Sequence, residues 1–388
     1  MPKEINLMQL PAGYAENSGR AGEKMFVSLR GFFSSEDGNN LITRLEGFPQ
    51  ELISLIPSEV PILPSTVNSL LALIRRDKTA TIYLNNEVRP IASARIKGGC
   101  KKGDLVSAEK ILDIGKVKFG GIDIPRDVAI AYVFSAGWRR GFFYDFAPLR
   151  EDLVKLRGYD VEELIGGLYA YLFFMNRFKI SDSTWTTLFQ QRWFPFAYLG
   201  DSVIKKIISH AENNEDIDEL IPEIADNVKR LLKENNPIDR SSPYFTEHAV
   251  LLDQAVERYL AGDYISCASI LYPRIEGLMR TFHRTERYES KPTPENLSKT
   301  VTQHHQEKRI QNSLLLPRKF NDYLNEVYFA HFTPGTAPDT GRHSVAHGEA
   351  RADDFNLKSS MIGFLVIFQL TLFFSDGTKS GDDKKAKA

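Results

Sequence analysis

Cysteine is scarce in this chain: Cys100 and Cys267 are the only two among 388 residues, and they lie far apart. A disulfide framework is excluded and a reducing compartment fits, so a cytoplasmic location is expected. Net charge is also small, because 49 lysines and arginines against 50 acids leave −1 at pH 7. No global attraction to nucleic acid follows, and an RNA site would have to be a local basic patch. The opening residues, MPKEINLMQLPAGYAENSG, hold no apolar run of the kind a secretory signal needs. The longest apolar run, residues 361–374, is interrupted by Gln369 and Thr371. It is too short to span a bilayer and reads as a buried helix, so no membrane is expected. HExxH, CxxC and spaced aspartate clusters are all missing, so neither metal nor cofactor is expected. With no GxxxxGK[ST] and no GxSxG, P-loop hydrolysis and esterase chemistry are unsupported.

What is present reads as an α+β protein of several domains, the prior for this length. Residues 1–21 are polar and glycine-bearing, which predicts a flexible arm. Residues 22–148 are rich in β-branched and aromatic stretches, with short helices around 50–56 and 65–76, and form a predicted β-rich domain. A helical middle domain is expected over 149–240. Asp160 would cap its first helix, Ser183 its second, and Asn235-Asn236-Pro237 would close it. Residues 241–375 predict a helical bundle. In it Gly262 ends one helix, Asp263 caps the next over 264–285, and 357–374 closes the set. Residues 376–388 are rich in lysine and aspartate and predict a disordered tail.

One stretch of the bundle concentrates chemistry: Arg342-His343-Ser344-Val345-Ala346-His347-Gly348. A fixed guanidinium suits a phosphate or a developing oxyanion, and an imidazole suits proton transfer near neutral pH. Together they can cleave RNA without a metal. The histidine takes the 2′-hydroxyl proton and the arginine steadies charge on the phosphate oxygens. Arg342 and His347 are five apart, roughly 140° of rotation on a regular helix, so they share no single stripe. The ordinary reading is a histidine-rich helix cap packed on the last helix.

The surroundings favour a functional reading. The helix predicted over 264–285 contains Ile275-Glu276-Gly277, and the histidine segment is followed by the long apolar helix at 357–374. This combination resembles the HEPN superfamily, especially its Apea-like branch, over roughly residues 245–375, about a third of the chain. An IEG-like segment, a late RHxxxHG segment and a final apolar helix are typical there. The resemblance implies a metal-independent endoribonuclease with Arg342 and His347 as catalytic residues. His343 is implied to assist, with Ser344 and Glu276 in support. It further implies RNA as substrate, a homodimer through the bundle, and a setting in prokaryotic antiphage defence by abortive infection. A phage-derived or antitoxin protein would then be a possible partner, and the β-rich domain a sensor or target-binding unit by analogy. The alternative is a non-catalytic bundle that binds RNA or a nucleotide, or that dimerises.

Other features carry ordinary readings. Glu276 needs a cation, supplied either by the histidine segment or by Arg280 one turn on. His304 and His305 neighbour Glu307, Lys308 and Arg309 and read as a solvated face. The aromatic stretches at 138–144 and 190–196 read as core. The final helix has more large apolar side chains than one stripe can hold, so the surplus should meet a second subunit or the middle domain. Because no metal constellation is visible, RNA cleavage should persist in excess EDTA. Complete loss in chelator, reversed by a divalent ion, would place the chemistry elsewhere.

Overall fold

The computed structural model describes residues 2–57, 62–150, 157–308, 312–330 and 352–375, with the backbone alone for 304 and 306–308. Arg342, His343, Ser344 and His347 lie outside the described residues. The architecture is α+β, and the chain divides into two compact units. The first comprises residues 1–93 and 115–175, the second 94–114 and 176–388.

The first unit is built on a six-stranded antiparallel sheet. Its strands are β1 (Lys3–Asn6), β4 (Arg30–Ser34), β5 (Leu70–Ile74), β6 (Thr79–Leu84), β9 (Ala129–Ala136) and β10 (Arg139–Asp145), in the order β1-β6-β5-β9-β10-β4. Two minor pairs join β2 (Tyr14–Ala15) to β3 (Val27–Ser28), and β7 (Pro90–Ile96) to β8 (Ile111–Phe119). Side chains alternate across a pleated strand, so a sheet covered on both faces needs apolar residues at every position. β5 shows this: Leu70, Ala72 and Ile74 face helices α1 (Asn39–Glu46) and α2 (Phe48–Ser54). Leu71 and Leu73 face α3 (Val161–Phe173) with Tyr132 and Phe134. The unbroken run LLALI lacks the period-two signal of a half-exposed strand, which is why the sequence at 65–76 reads as helical. It is a strand.

Two further expectations change here. The first residues are not all a loose arm, because β1 pairs with β6 and buries Ile5. The helix capped by Asp160 belongs to this unit, not to a middle domain. Asp160 accepts from the backbone N–H groups of Glu162 and Glu163 and is joined by Lys116.

The second unit is helical: α5 (Asp182–Gln190), α6 (Asp201–Asn213), α7 (Ile221–Glu234), α8 (Ala249–Ala261), α9 (Tyr264–Thr285), α10 (Pro294–Lys308), α11 (Pro317–Tyr323) and α12 (Leu357–Phe374) share one core. A single turn, α4 (Met175–Phe178), precedes them. Ser181, not Ser183, caps α5, accepting from Thr184 N at 3.1 Å. Gly262 ends α8 at φ 80°, and Asp263 caps α9, as expected. The aromatics Trp193, Phe194 and Phe196 are core, as are Phe142, Phe143 and Tyr144 in the first unit, whereas Trp138 is exposed.

α12 is long and apolar enough by composition to cross a bilayer, but it is buried within this unit over nearly its whole length. α9, α10, α7 and the turn Ala197–Leu199 surround it. Its apolar surplus is therefore met within this unit, in part by α7 and the Ala197–Leu199 turn from the segment expected to be a middle domain. Gln369, the polar interruption, is buried and bonded at both ends of its amide: Oε1 accepts from Ala197 N at 3.0 Å and Nε2 donates to Leu315 O at 3.1 Å. Asn356 caps the helix start, and Arg95 donates to Leu372 O at 2.6 Å near its end. Both supply partners that helix ends otherwise lack.

One close approach in the first unit tests this packing. A Cβ on Gly166 of α3 would lie 1.6 Å from the backbone oxygen of Gly115 in β8. Backbone on both sides cannot yield, so Gly166→Ala should destabilise by about 3 kcal/mol or more in urea unfolding. A change under about 1 kcal/mol would contradict this contact.

Candidate functional site

The described residues that flank the histidine segment meet at one place. On the N-terminal side stands a π-helical turn, Leu324–Tyr328, closed by Phe329 N donating to Leu324 O at 2.7 Å. Such turns are costly in geometry and recur at functional positions. Tyr328 is buried, and its hydroxyl donates to the backbone oxygen of Tyr272 at 2.5 Å. On the C-terminal side α12 begins after its cap, Asn356. The Tyr272 hydroxyl donates to Ser359 O in the first turn of α12, a long bond of 3.5 Å. Tyr328 and Ser359, one on each side in sequence of residues 331–351, thus both contact Tyr272 of α9.

Glu276 lies one turn beyond Tyr272 and is the only candidate site residue that the structure describes. It is buried, and its Oε1 accepts from Arg280 Nη2 at 2.7 Å and Nε at 2.8 Å. Of the two partners open from sequence, Arg280 is present. Any contact with the histidine segment falls outside the described residues. Pro273 sits within α9, and the close neighbour of Gly277 is the His248 ring, 2.9 Å from where a Cβ would stand. His248 is buried and its Nε2 lies 3.1 Å from Thr281 Oγ1, which in turn donates to Glu247. Burial pushes the His248 pKa below the usual imidazole value, opposed by Glu247 and reinforced by Arg274. Glu247 also holds Arg284 at 2.6 Å. Arg280 and Arg284 are thus both engaged by carboxylates, so they do not form a free basic stripe along α9.

A cavity of about 170 Å³ borders Tyr272, lined by Arg192, Asn356, Lys358, Ser359 and Ile362. Arg192 adopts φ 64°, a left-handed backbone unusual for a side chain of that size. With Lys358 it places two cations near the N-terminus of α12, where an anionic group is favoured. Lys358 is already held by Asp218 and by Gln191 O at 3.0 Å.

The polar feature most misjudged from sequence is His305. It is buried, not on a solvated face, and packs edge-on to Phe373. Its Nε2 lies 2.9 Å from Ser313 Oγ, which donates to Asp113 Oδ2 at 2.9 Å. Asp113 Oδ1 accepts from Leu314 N at 2.9 Å and from Ile114 N at 3.0 Å. Histidine, serine and aspartate in contact invite comparison with a nucleophilic triad, but the order differs. Activation needs the imidazole between serine and carboxylate, taking the serine proton. Here serine is central, donating its hydrogen bond to Asp113 and facing the imidazole nitrogen as acceptor. The arrangement ties strand to helix; it does not sharpen a nucleophile. The spacing Leu297, Val301, His305, four residues each, put His305 on the buried face and was the available signal.

Among the described residues no group of three or more His, Cys, Asp or Glu is placed to hold a metal ion. Asp113→Ala would leave the Ser313 hydroxyl and two backbone N–H groups buried without their acceptor. A loss on the order of 3 kcal/mol in unfolding free energy is expected. A variant of unchanged stability would show that the tie is dispensable. Comparisons with protein-family models, with curated proteins and with solved structures find no match to this chain.

Proposed function

We propose that this chain is a metal-independent endoribonuclease whose chemistry resides in Arg342-His343-Ser344-Val345-Ala346-His347-Gly348. The observation that carries the reading is the convergence of the segment's two flanks on Tyr272, one turn from the buried Glu276. In this proposal His347 takes the 2′-hydroxyl proton of the substrate ribose. The 2′-oxygen attacks phosphorus and the 5′-oxygen leaves with a proton supplied by His343, giving a 2′,3′-cyclic phosphate end and a 5′-hydroxyl end. Arg342 holds the scissile phosphate and stabilises its transition-state charge, with His343 assisting and Ser344 in support. Glu276, fixed by Arg280, serves α9 as a positioning residue. Antiphage defence is the proposed setting.

Two copies of the segment would double the few groups available, so a homodimer remains part of the proposal. Its contact surface would be other than α12. Val250, Leu251 and Ile265 are exposed apolar residues at the start of α8 and α9. A second reading, a bundle that binds RNA without cutting it, is favoured by the engagement of Arg280 and Arg284 with carboxylates.

Arg342→Ala and His347→Ala should each lower RNA cleavage by about 100-fold or more while stability stays within about 1 kcal/mol. Cleavage at wild-type rates in both variants would end the assignment. Wild-type protein that binds RNA but never cleaves it would establish the second reading. Sedimentation of a strictly monomeric, active protein would exclude the paired site.

A further inference from the structure

A cavity of about 290 Å³ opens in the first unit, between the helices α1 and α2 and the sheet. That volume is at the small end of ligand sites. Leu45 of α1, Pro49 and Ile53 of α2, Val67, and Leu70 and Val133 of the sheet give it apolar walls. One more sheet residue lines it, Arg140 of β10.

Arg140 stands where the fold asks for an apolar side chain. Side chains alternate along a strand, so Arg140, Phe142 and Tyr144 share one face of the sheet. Phe142 and Tyr144 are core on that face, in the cluster that holds Leu41 of α1 with Leu52 and Ile53 of α2. Arg140 is half-buried, and its Nη2 donates to Val67 O at 2.7 Å. It makes no ion pair among the described residues. Nε is sealed in without a partner, whereas Nη1 is not. A carbonyl takes up one N–H but leaves the charge uncompensated, and a charge drawn out of water calls for a counter-charge.

The polar remainder of the lining does not supply it. Glu46, Gln50 and Ser65 are all exposed, so they form a wet rim in which the Glu46 charge is screened by water. The walls between that rim and Arg140 are apolar. They select an apolar body, and the single guanidinium selects one planar monoanion. A phosphate dianion would turn its remaining oxygens toward leucine and proline, where nothing donates to them.

We infer that this cavity binds a small apolar carboxylate. The carboxylate meets the guanidinium of Arg140, and the hydrocarbon lies against Leu45, Ile53, Leu70 and Val133. The inference is independent of the ribonuclease reading, because every residue it uses belongs to the first unit.

Titration calorimetry on the full chain tests it, with octanoate, 1-octanol, octylamine and acetate as probes. Octanoate should bind at least about tenfold more tightly than each of the other three, a gap of about 1.4 kcal/mol. Arg140→Met should weaken octanoate about tenfold or more and leave octanol unchanged. Leu45→Trp, which narrows the cavity from α1 and leaves the cation in place, should weaken octanoate to a similar degree. Arg342→Ala should leave octanoate binding unchanged. No octanoate binding at millimolar concentration would overturn the inference. So would octanol or octylamine binding as tightly as octanoate, octanoate binding indifferent to Arg140→Met or to Leu45→Trp, or acetate binding as tightly as octanoate.

Discussion

A helix that is apolar around its whole circumference must be surrounded on every side, and α12 imposes that requirement on the second unit. Burying one large aliphatic or aromatic side chain contributes roughly 1.5–3 kcal/mol, so this one element carries a large share of the unit's hydrophobic drive. The requirement explains why helices from both before and after residue 240 share a core. It also explains Gln369. A polar group inside such a helix is tolerable only with both ends of its amide bonded, and Ala197 and Leu315 supply the two partners. The amide therefore fixes the register of α12 against its neighbours, which uniform apolar contacts would leave free to slide.

Features decided locally were readable in the sequence. Asp160, Asp263 and Gly262 cap or end their helices because the bond is made within a few residues. The extent of α9 and α12 followed from caps and composition. Features decided by distant partners were not readable. β5 looked helical because burial on two faces erases alternation, and that second face is α3, about ninety residues away. β1 carries only Ile5 as a buried position, too little to mark a strand, and depends on β6 for its pairing. His305 sat in a polar run, and it bonds Ser313, whose own acceptor Asp113 is two hundred residues earlier.

The candidate site divides the same way. The Glu276–Arg280 pair follows from one turn of helix and was open from spacing. The role of Tyr272, which meets both flanks of the histidine segment, had no sequence signal, because each of its contacts is long-range.

Neither unit is continuous in sequence, because the chain passes from one to the other after residues 93, 114 and 175. This shapes folding during synthesis. The sheet of the first unit has all its strands by residue 145, but α3, which covers one face, follows only at 161–173. The 94–114 limb is made early, yet Ser313 and Leu314, which hold its Asp113, are made some two hundred residues later. Until then a carboxylate destined for full burial is exposed to water, and the limb waits without its core. Domains usually fold as they emerge, one after another. This chain has to hold part of its second unit unfolded through the completion of its first, so its slow steps belong to the late closure of long-range contacts.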